Sequence, residues 1–281
     1  MNRLSRLSRL SRLIRYTIKF SAIITFGVLF FIIVYILVRG IPYLKPSLFA
    51  LEYTTENVSL LPAIITTIIM TVLALLISAP IGIFTGFYLV EYARSGNKLV
   101  EIIRITTETL SGIPSIVYGL FGLLFFVTAL GWSFSIIAGA FTLAIMILPL
   151  IIRSTEEALL AVPNLLREAS YGLGAGKLRT IFRIVLPSAM PGILAGIILS
   201  IGRIVGETAA LIYTAGTVAK IPENLFASGR TLAIHMYVLS SEGLYTNQAY
   251  ATAVVLLIVV IGINALSTTI SKKLTKGNID G

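Results

Sequence analysis

Hydrophobic and polar positions alternate along this chain at the scale of whole segments. Long apolar runs occupy 16–38, 62–90, 113–130, 134–152, 188–215 and 249–270. About 20 residues at 1.5 Å per residue cross roughly 30 Å of hydrocarbon, so the pattern predicts six transmembrane helices. The third run is short, and only Gly131, Trp132 and Ser133 separate it from the fourth, which requires a tight hairpin. The runs divide the chain into a basic tail, first helix and outer loop over 1–61, a five-helix core over 62–270, and a closing basic tail over 271–281. The fold class is therefore an all-α membrane protein.

Composition agrees with this reading: 57% of residues are hydrophobic and 12% charged, against about 25% charged in soluble domains. The net charge of +10 does not point to nucleic acid, because the basic residues lie between apolar runs and not on a polar or aromatic binding face. With the amino terminus inside, 17 lysines and arginines fall on the cytoplasmic side and four outside (Arg39, Lys45, Lys220, Arg230), with Arg203 inside a span. That bias places both termini in the cytoplasm. The first run lacks a small-residue cleavage pattern and continues into Arg39-Gly40-Ile41-Pro42, so it reads as an uncleaved anchor. The Arg-Leu-Ser repeat over 3–13 reads as a disordered basic tail that fixes topology, with an interfacial amphipathic segment as the alternative. The chain has no cysteine and one histidine, which removes disulfides, thiolate metal sites, a cysteine nucleophile and a histidine-rich metal site.

The stretch over 153–187 is long for a connection inside a bundle. Pro163 suits a first helical turn, Leu165, Leu166 and Ala169 share an apolar stripe, and Gly172 and Gly174 offer a stop. A second short helix is predicted over 177–185, before Pro187 opens the next span. Gly172 to Lys177 imitates a phosphate-binding P-loop, but Leu178 stands where serine or threonine should hold magnesium, and Tyr171 replaces the first glycine. No ATP site is expected in this chain. The spacing Glu168-Ala169-Ser170, Gly174, Ile184-Val185-Leu186-Pro187 resembles the EAA loop of ABC importer permeases, with Ser170 in place of the second alanine. The resemblance implies the type I importer (MetI-like) fold and a coupling helix that docks on a separate P-loop ATPase pair. Small residues at Ala169 and Ser170 would allow close approach, Glu168 would offer a carboxylate, and Gly174 would turn the chain.

Arg203 and Glu207 lie inside the fifth run, with Arg203 about 22 Å along the helix. An arginine at that depth costs about 2.5–3.5 kcal/mol even on a lenient scale, so it faces a bundle interior or a wet pathway. The four-residue spacing puts both charges on one helical face, where they can pair. Two readings stay open: a structural ion pair, or a transient site in which the guanidinium holds an oxyanion and the carboxylate accepts from a protonated oxygen. Sulfate, with no proton to offer, would be repelled by Glu207.

The run from Gly202 through Arg203, Gly206, Glu207 and Thr208 to Leu211 resembles phosphate permease proteins of the PstA and PstC type, as does Glu108 through Ser111 and Pro114 to Ser115. The resemblance covers most of 62–270 and favours the PstA side. It implies a phosphate pathway with Arg203, Glu207, Thr208, Ser111, Pro114 and Glu108 as its candidates, although a plain helix start explains Ser111 and Pro114 equally well and Glu108 reads first as interfacial, and a coupling surface of Glu168, Ala169, Ser170, Gly174, Leu186 and Pro187. It also implies a PstC-type permease partner, an extracytoplasmic phosphate-binding protein, and a place in a bacterial or archaeal plasma membrane. A permease for sulfate, molybdate or phosphonate is the nearest alternative, and a secondary transporter a more distant one. The outer loop over 216–250 includes an apolar segment at 231–239 suited to a short surface helix, where His235 reads as a packing residue before a ligand.

Overall fold

The computed structural model describes the backbone of residues 2–93 and 96–276, and the side chains of 14–93, 96–269 and 272. Apart from two short 3-10 turns at Ile41–Tyr43 and Pro46–Phe49, ten helices occur in chain order among these residues: α1 (Asn2–Gly40), α2 (Leu61–Tyr92), α3 (Lys98–Ser111), α4 (Ser115–Ala129), α5 (Ile136–Leu160), α6 (Asn164–Gly172), α7 (Lys177–Val205), α8 (Ala209–Ile212), α9 (Leu232–Glu242) and α10 (Thr246–Lys276). The backbone over 3–13 is helical within α1, in place of the disordered tail expected there. The side chains of that repeat and residues 277–281 of the closing tail lie outside the described residues.

Five helices are long and apolar enough to cross a membrane: α1, α2, α5, α7 and α10. The run expected as a span over 113–130 is α4, which is not long enough to cross alone and qualifies only together with α3, from which it is bent by 104°. Pro114 has no N–H and pushes Ile113 out of helical geometry, so α3 cannot run on into α4. Hydroxyls bond carbonyls at the break: Ser111 donates to the Glu108 carbonyl and Tyr118 to the Leu110 carbonyl, both at 2.7 Å, the latter also accepting from the Ile113 N–H at 3.1 Å. The tight turn between α4 and α5 forms as the spacing predicts, with positive φ at Gly131 and Ser133. The Ser135 hydroxyl then caps α5 by accepting from the Ala138 N–H at 3.3 Å.

The fifth span departs most from expectation. A separate short helix over 177–185 and a span over 188–215 are replaced by one rod, α7, which ends at Val205. A π turn at Ile181–Val185 carries the helix past Pro187, where an ordinary helix would lack one N–H donor.

Helix α5 is the axis of the bundle: 67% of its apolar window is buried, more than in any other span among the described residues. Two glycine pairs at four-residue spacing bring its neighbours close. Gly82 and Gly86 of α2 face Ile151 and Thr155, while Gly192 and Gly196 of α7 face Ala158 and Ser154. With no hydrophobic effect between helices in lipid, such close backbone approach supplies van der Waals contact directly. Helix α1 is peripheral: none of its apolar window is buried, and it meets α10 where the Tyr35 and Tyr250 hydroxyls lie 3.4 Å apart.

A methyl group on Gly82 would sit 2.7 Å from Ile151 Cγ2 and 2.9 Å from Ile151 Cβ, whereas one on Gly202 would meet nothing within 4 Å. Overpacking costs about 1–3 kcal/mol. Gly82→Val should therefore lower the thermal midpoint of the detergent-solubilised protein by several degrees, and Gly202→Ala should leave it unchanged.

Candidate functional site

Helix α7 ends at Val205, and Gly206, Glu207 and Thr208 lead into the single turn of α8. The end of α7 is tightened by Gly206 N–H to the Gly202 carbonyl at 3.3 Å and Glu207 N–H to the Ile204 carbonyl at 3.1 Å. Glu207 is buried, and its Oε1 accepts from the Ala210 N–H at 3.1 Å. The Arg203–Glu207 ion pair suggested by their spacing does not form, because the chain leaves the helix between the two residues. Arg203 instead occupies the carbonyl-rich end of α7, and Glu207 the N–H-rich start of α8; each charge faces the backbone pole that suits it.

The break has an opening on either side. Arg203 lines a groove of about 840 Å³ between α7 and α10, with Pro191, Ala195, Asn264, Thr268 and Lys272. Thr208 lines a different cleft of about 430 Å³, with Ile36, Met236, Tyr237 and Tyr250. The bend between α3 and α4 lies against the break: Leu110, Ile113 and Tyr118 share one core cluster with Ile204, and the Gly119 backbone fits closely on Ala210. Ser111 and Pro114 are exposed at that bend. Glu108 is placed elsewhere, in a charged cleft of about 260 Å³ with Arg104, Arg153, Glu156 and Glu157. Two ion pairs cross or border that cleft, Arg104–Glu156 at 2.6 Å and Arg153–Glu157 at 2.9 Å.

The expected cytoplasmic helix is α6. Its chain reverses at Gly174, φ +80°, a conformation that disfavours any side chain. Ala175 N–H bonds back to the Ser170 carbonyl at 3.1 Å. Glu168 and Ala169 are exposed, as are Leu165 (72%) and Leu173 (90%). Ser170 does not join that surface: it is buried, and its hydroxyl pairs with that of Thr180 at 2.8 Å, tying α6 to α7. Leu186 packs inward with Phe87, Leu159 and Val185, and Pro187 is half-buried within α7. Neither stands on the exposed face of α6.

Sequence reasoning missed the residue that fixes α6 in place. Arg167 donates through Nε and Nη2 to Glu91 Oε1 at 3.1 and 2.8 Å, through Nη2 to the Leu159 carbonyl at 3.0 Å, and through Nη1 to the Val162 carbonyl at 2.8 Å. Both side chains are largely buried, at 13% and 6% exposure. Glu91 is positioned by the π turn Tyr88–Tyr92 that closes α2. The only sequence signal was an acidic residue ending an apolar run and an arginine 76 positions later, which no periodicity connects.

In the outer loop the predicted short helix is α9. His235 is fully buried there, edge-on to Tyr53 at 6.0 Å between ring centres. Burial, reinforced by the positive charge of Arg230, lowers its pKa to about 3, so the ring stays neutral where it packs on Tyr53.

A family model described as "Binding-protein-dependent transport system inner membrane component" matches residues 78–277. The chain is 43% identical over 208 residues to the phosphate transport system permease protein PstA of Pasteurella multocida, covering 71% of each protein. It is 35% identical over 252 residues to the Haemophilus influenzae PstA, covering 87% of each. To the probable ABC transporter permease protein YqgI of Bacillus subtilis it is 40% identical over 223 residues, covering 72% of this chain and 76% of that one. Among solved structures, a MetNI methionine ABC transporter in an inward-facing conformation matches with TM-score 0.59 at 21% identity, over 85% of this chain and 96% of that one. A bacterial ABC transporter that imports alginate matches with TM-score 0.59 at 16% identity, over 94% and 99%.

Removing one member of a buried ion pair strands the other, at a cost of about 3–5 kcal/mol. Arg167→Ala should therefore loosen α6, read as faster amide exchange over 164–180, and Arg167→Lys should restore little because an ammonium cannot span the same acceptors. His235 has a second consequence. Its folded pKa of about 3 lies below the ordinary 6.5, so its contribution to stability is complete above pH 6.5. That contribution is lost at up to about 1.4 kcal/mol per pH unit as pH falls toward 3. Unfolding midpoints measured across pH 4–7 should show this loss in the parent and a shallower one in His235→Gln.

Proposed function

Because the chain belongs to the family of binding-protein-dependent transport system inner membrane components, we propose that it is the permease subunit of an ATP-driven phosphate importer, forming half of the translocation pathway. The observation that carries this reading is Arg203. It stands unpaired among the described residues at a break in a membrane-spanning helix, with a buried carboxylate four positions on and an opening on each side of the break. The relatives named PstA support phosphate as cargo.

The guanidinium supplies a planar set of donors suited to a tetrahedral oxyanion. Glu207 keeps one oxygen on the Ala210 N–H, which leaves the other to accept from a protonated phosphate oxygen. A fully deprotonated anion would meet only repulsion from that carboxylate. Thr208 on one side and the Ser111–Pro114 bend beside the break would complete the passage.

In this reading a PstC-type permease closes the open face of the bundle, and a pair of P-loop ATPase subunits docks beneath it. The exposed face of α6, with Leu165, Glu168, Ala169 and Leu173, meets one of them. A phosphate-binding protein delivers cargo to the opposite side. Both termini then lie in the cytoplasm, in keeping with the distribution of basic residues. The domain division into 1–61, 62–270 and 271–281 corresponds to anchor, transport core and tail.

Reconstituted with its partners, the complex should take up labelled phosphate, and ATP depletion should stop it. Arg203→Ala should reduce uptake by about tenfold or more, as expected when a charge-assisted contact is lost. Glu207→Gln should narrow the preference for phosphate over sulfate. Uptake and preference unchanged in both variants, in a correctly assembled complex, would sink the assignment of these residues.

A further inference from the structure

The groove that holds Arg203 extends well beyond it. Along α7 it reaches Pro191, about 18 Å away at 1.5 Å per residue. Its other wall is α10, which contributes Asn264, Thr268 and Lys272. These positions are four residues apart and form one stripe on the helix. The direction of the stripe follows from the fold: Tyr250, near the start of α10, lines the Thr208 cleft, so Asn264 lies nearer the break and Lys272 farther from it, toward the α6 end. One groove thus carries a deep arginine, an amide and a terminal lysine, between otherwise apolar walls.

Asn264 contains the unresolved feature. Its Oδ1 is buried and has no hydrogen-bond partner. Thr268 does not help, since its hydroxyl donates to the Asn264 backbone carbonyl at 2.7 Å. A buried acceptor without a donor costs about 1–3 kcal/mol, and a turn of the side chain toward the groove would let a passenger carrying an O–H satisfy it. A primary amide also has two N–H donors. It therefore matches an oxyanion that bears both a proton and a charge, whereas a fully deprotonated oxyanion uses only half of it.

We propose that the α7–α10 groove is the exit leg of the anion pathway: Asn264 is a specificity-determining residue that takes a proton-bearing oxyanion from Arg203, and Lys272 draws the anion to the mouth. This rests on the phosphate-permease reading and adds to it a direction and residues on α10. The same chemistry, a phosphate group against Arg203, Asn264 and Lys272, could be met by the headgroup of a membrane phospholipid, with its acyl chains along the apolar walls.

The test uses the assembled complex in proteoliposomes and exploits the absence of cysteine from this chain. Thr268→Cys lies in the groove, and Ala265→Cys lies on an exposed part of α10 outside it. In the exit-leg reading, a charged, membrane-impermeant thiol reagent modifies Thr268→Cys but not Ala265→Cys, and phosphate during ATP turnover slows that modification by about threefold or more. Asn264→Leu lowers phosphate uptake by about tenfold, the scale of one lost hydrogen bond to a charged group, in a complex that still assembles. Modification of Thr268→Cys only by membrane-soluble maleimides, without protection by phosphate, identifies a lipid-filled groove and overturns the proposal. So does parental uptake by Asn264→Leu. A parent complex that carries a different oxyanion overturns the phosphate assignment alone, and the groove is then judged by protection with that oxyanion.

Discussion

A backbone interrupted inside hydrocarbon must satisfy its own polar groups, and the end of α7 at Val205 is where this chain meets that constraint. Backbone bonds from Gly206 and Glu207 close the last turn, and the Glu207 carboxylate takes the Ala210 N–H at the start of α8. The close seat of Gly119 on Ala210 holds α8 in place. Glu207 is thus committed first to the backbone. Its burial, the freedom of Arg203 and the separation of the two openings all follow from that commitment.

The same rod ties this break to the distant α6. Ser170 bonds Thr180 near the start of α7, and Arg203 lies at the other end of a helix about 43 Å long. A hinge at Pro187, which two separate helices would have provided, is absent; the π turn keeps the rod continuous. Arg167 adds a second attachment, to Glu91 of α2 and to the end of α5. Displacement of α6 therefore acts on three spans at once, and the glycine contacts onto α5 pass it into the core instead of dissipating it in a loop.

Much of this was legible in the chain because the governing signals are local. Hydropathy located the spans, Gly131 to Ser133 the hairpin, Gly174 the turn after α6, and the apolar stretch near His235 the outer helix. What escaped was decided by tertiary contact or by backbone geometry that does not repeat. Periodicity read 188–215 as one helix, since Gly206 alone is a weak stop and nothing nearby announced the commitment of Glu207 to Ala210. Ser170 read as a surface residue because its burial depends on Thr180. The pairing of Arg167 with Glu91 joins distant segments, and the glycine pairs of α2 and α7 acquire meaning only once both are seen to face α5.

The break also decides what faces Arg203. On a continuous helix Glu207 would neutralise Arg203 through their four-residue spacing, leaving little positive potential for a substrate. Turned to the Ala210 N–H, it makes no direct ion pair with Arg203, which faces the carbonyl end of α7, worth about 0.3–1 kcal/mol and at most about 2. The burial of an arginine at that depth costs about 2.5–3.5 kcal/mol on the lenient scale. The difference must be offset by water or by polar groups in the groove. Satisfying the backbone at one interrupted helix therefore separates a buried carboxylate from the arginine four positions before it and leaves the guanidinium without a direct ionic partner among the described residues.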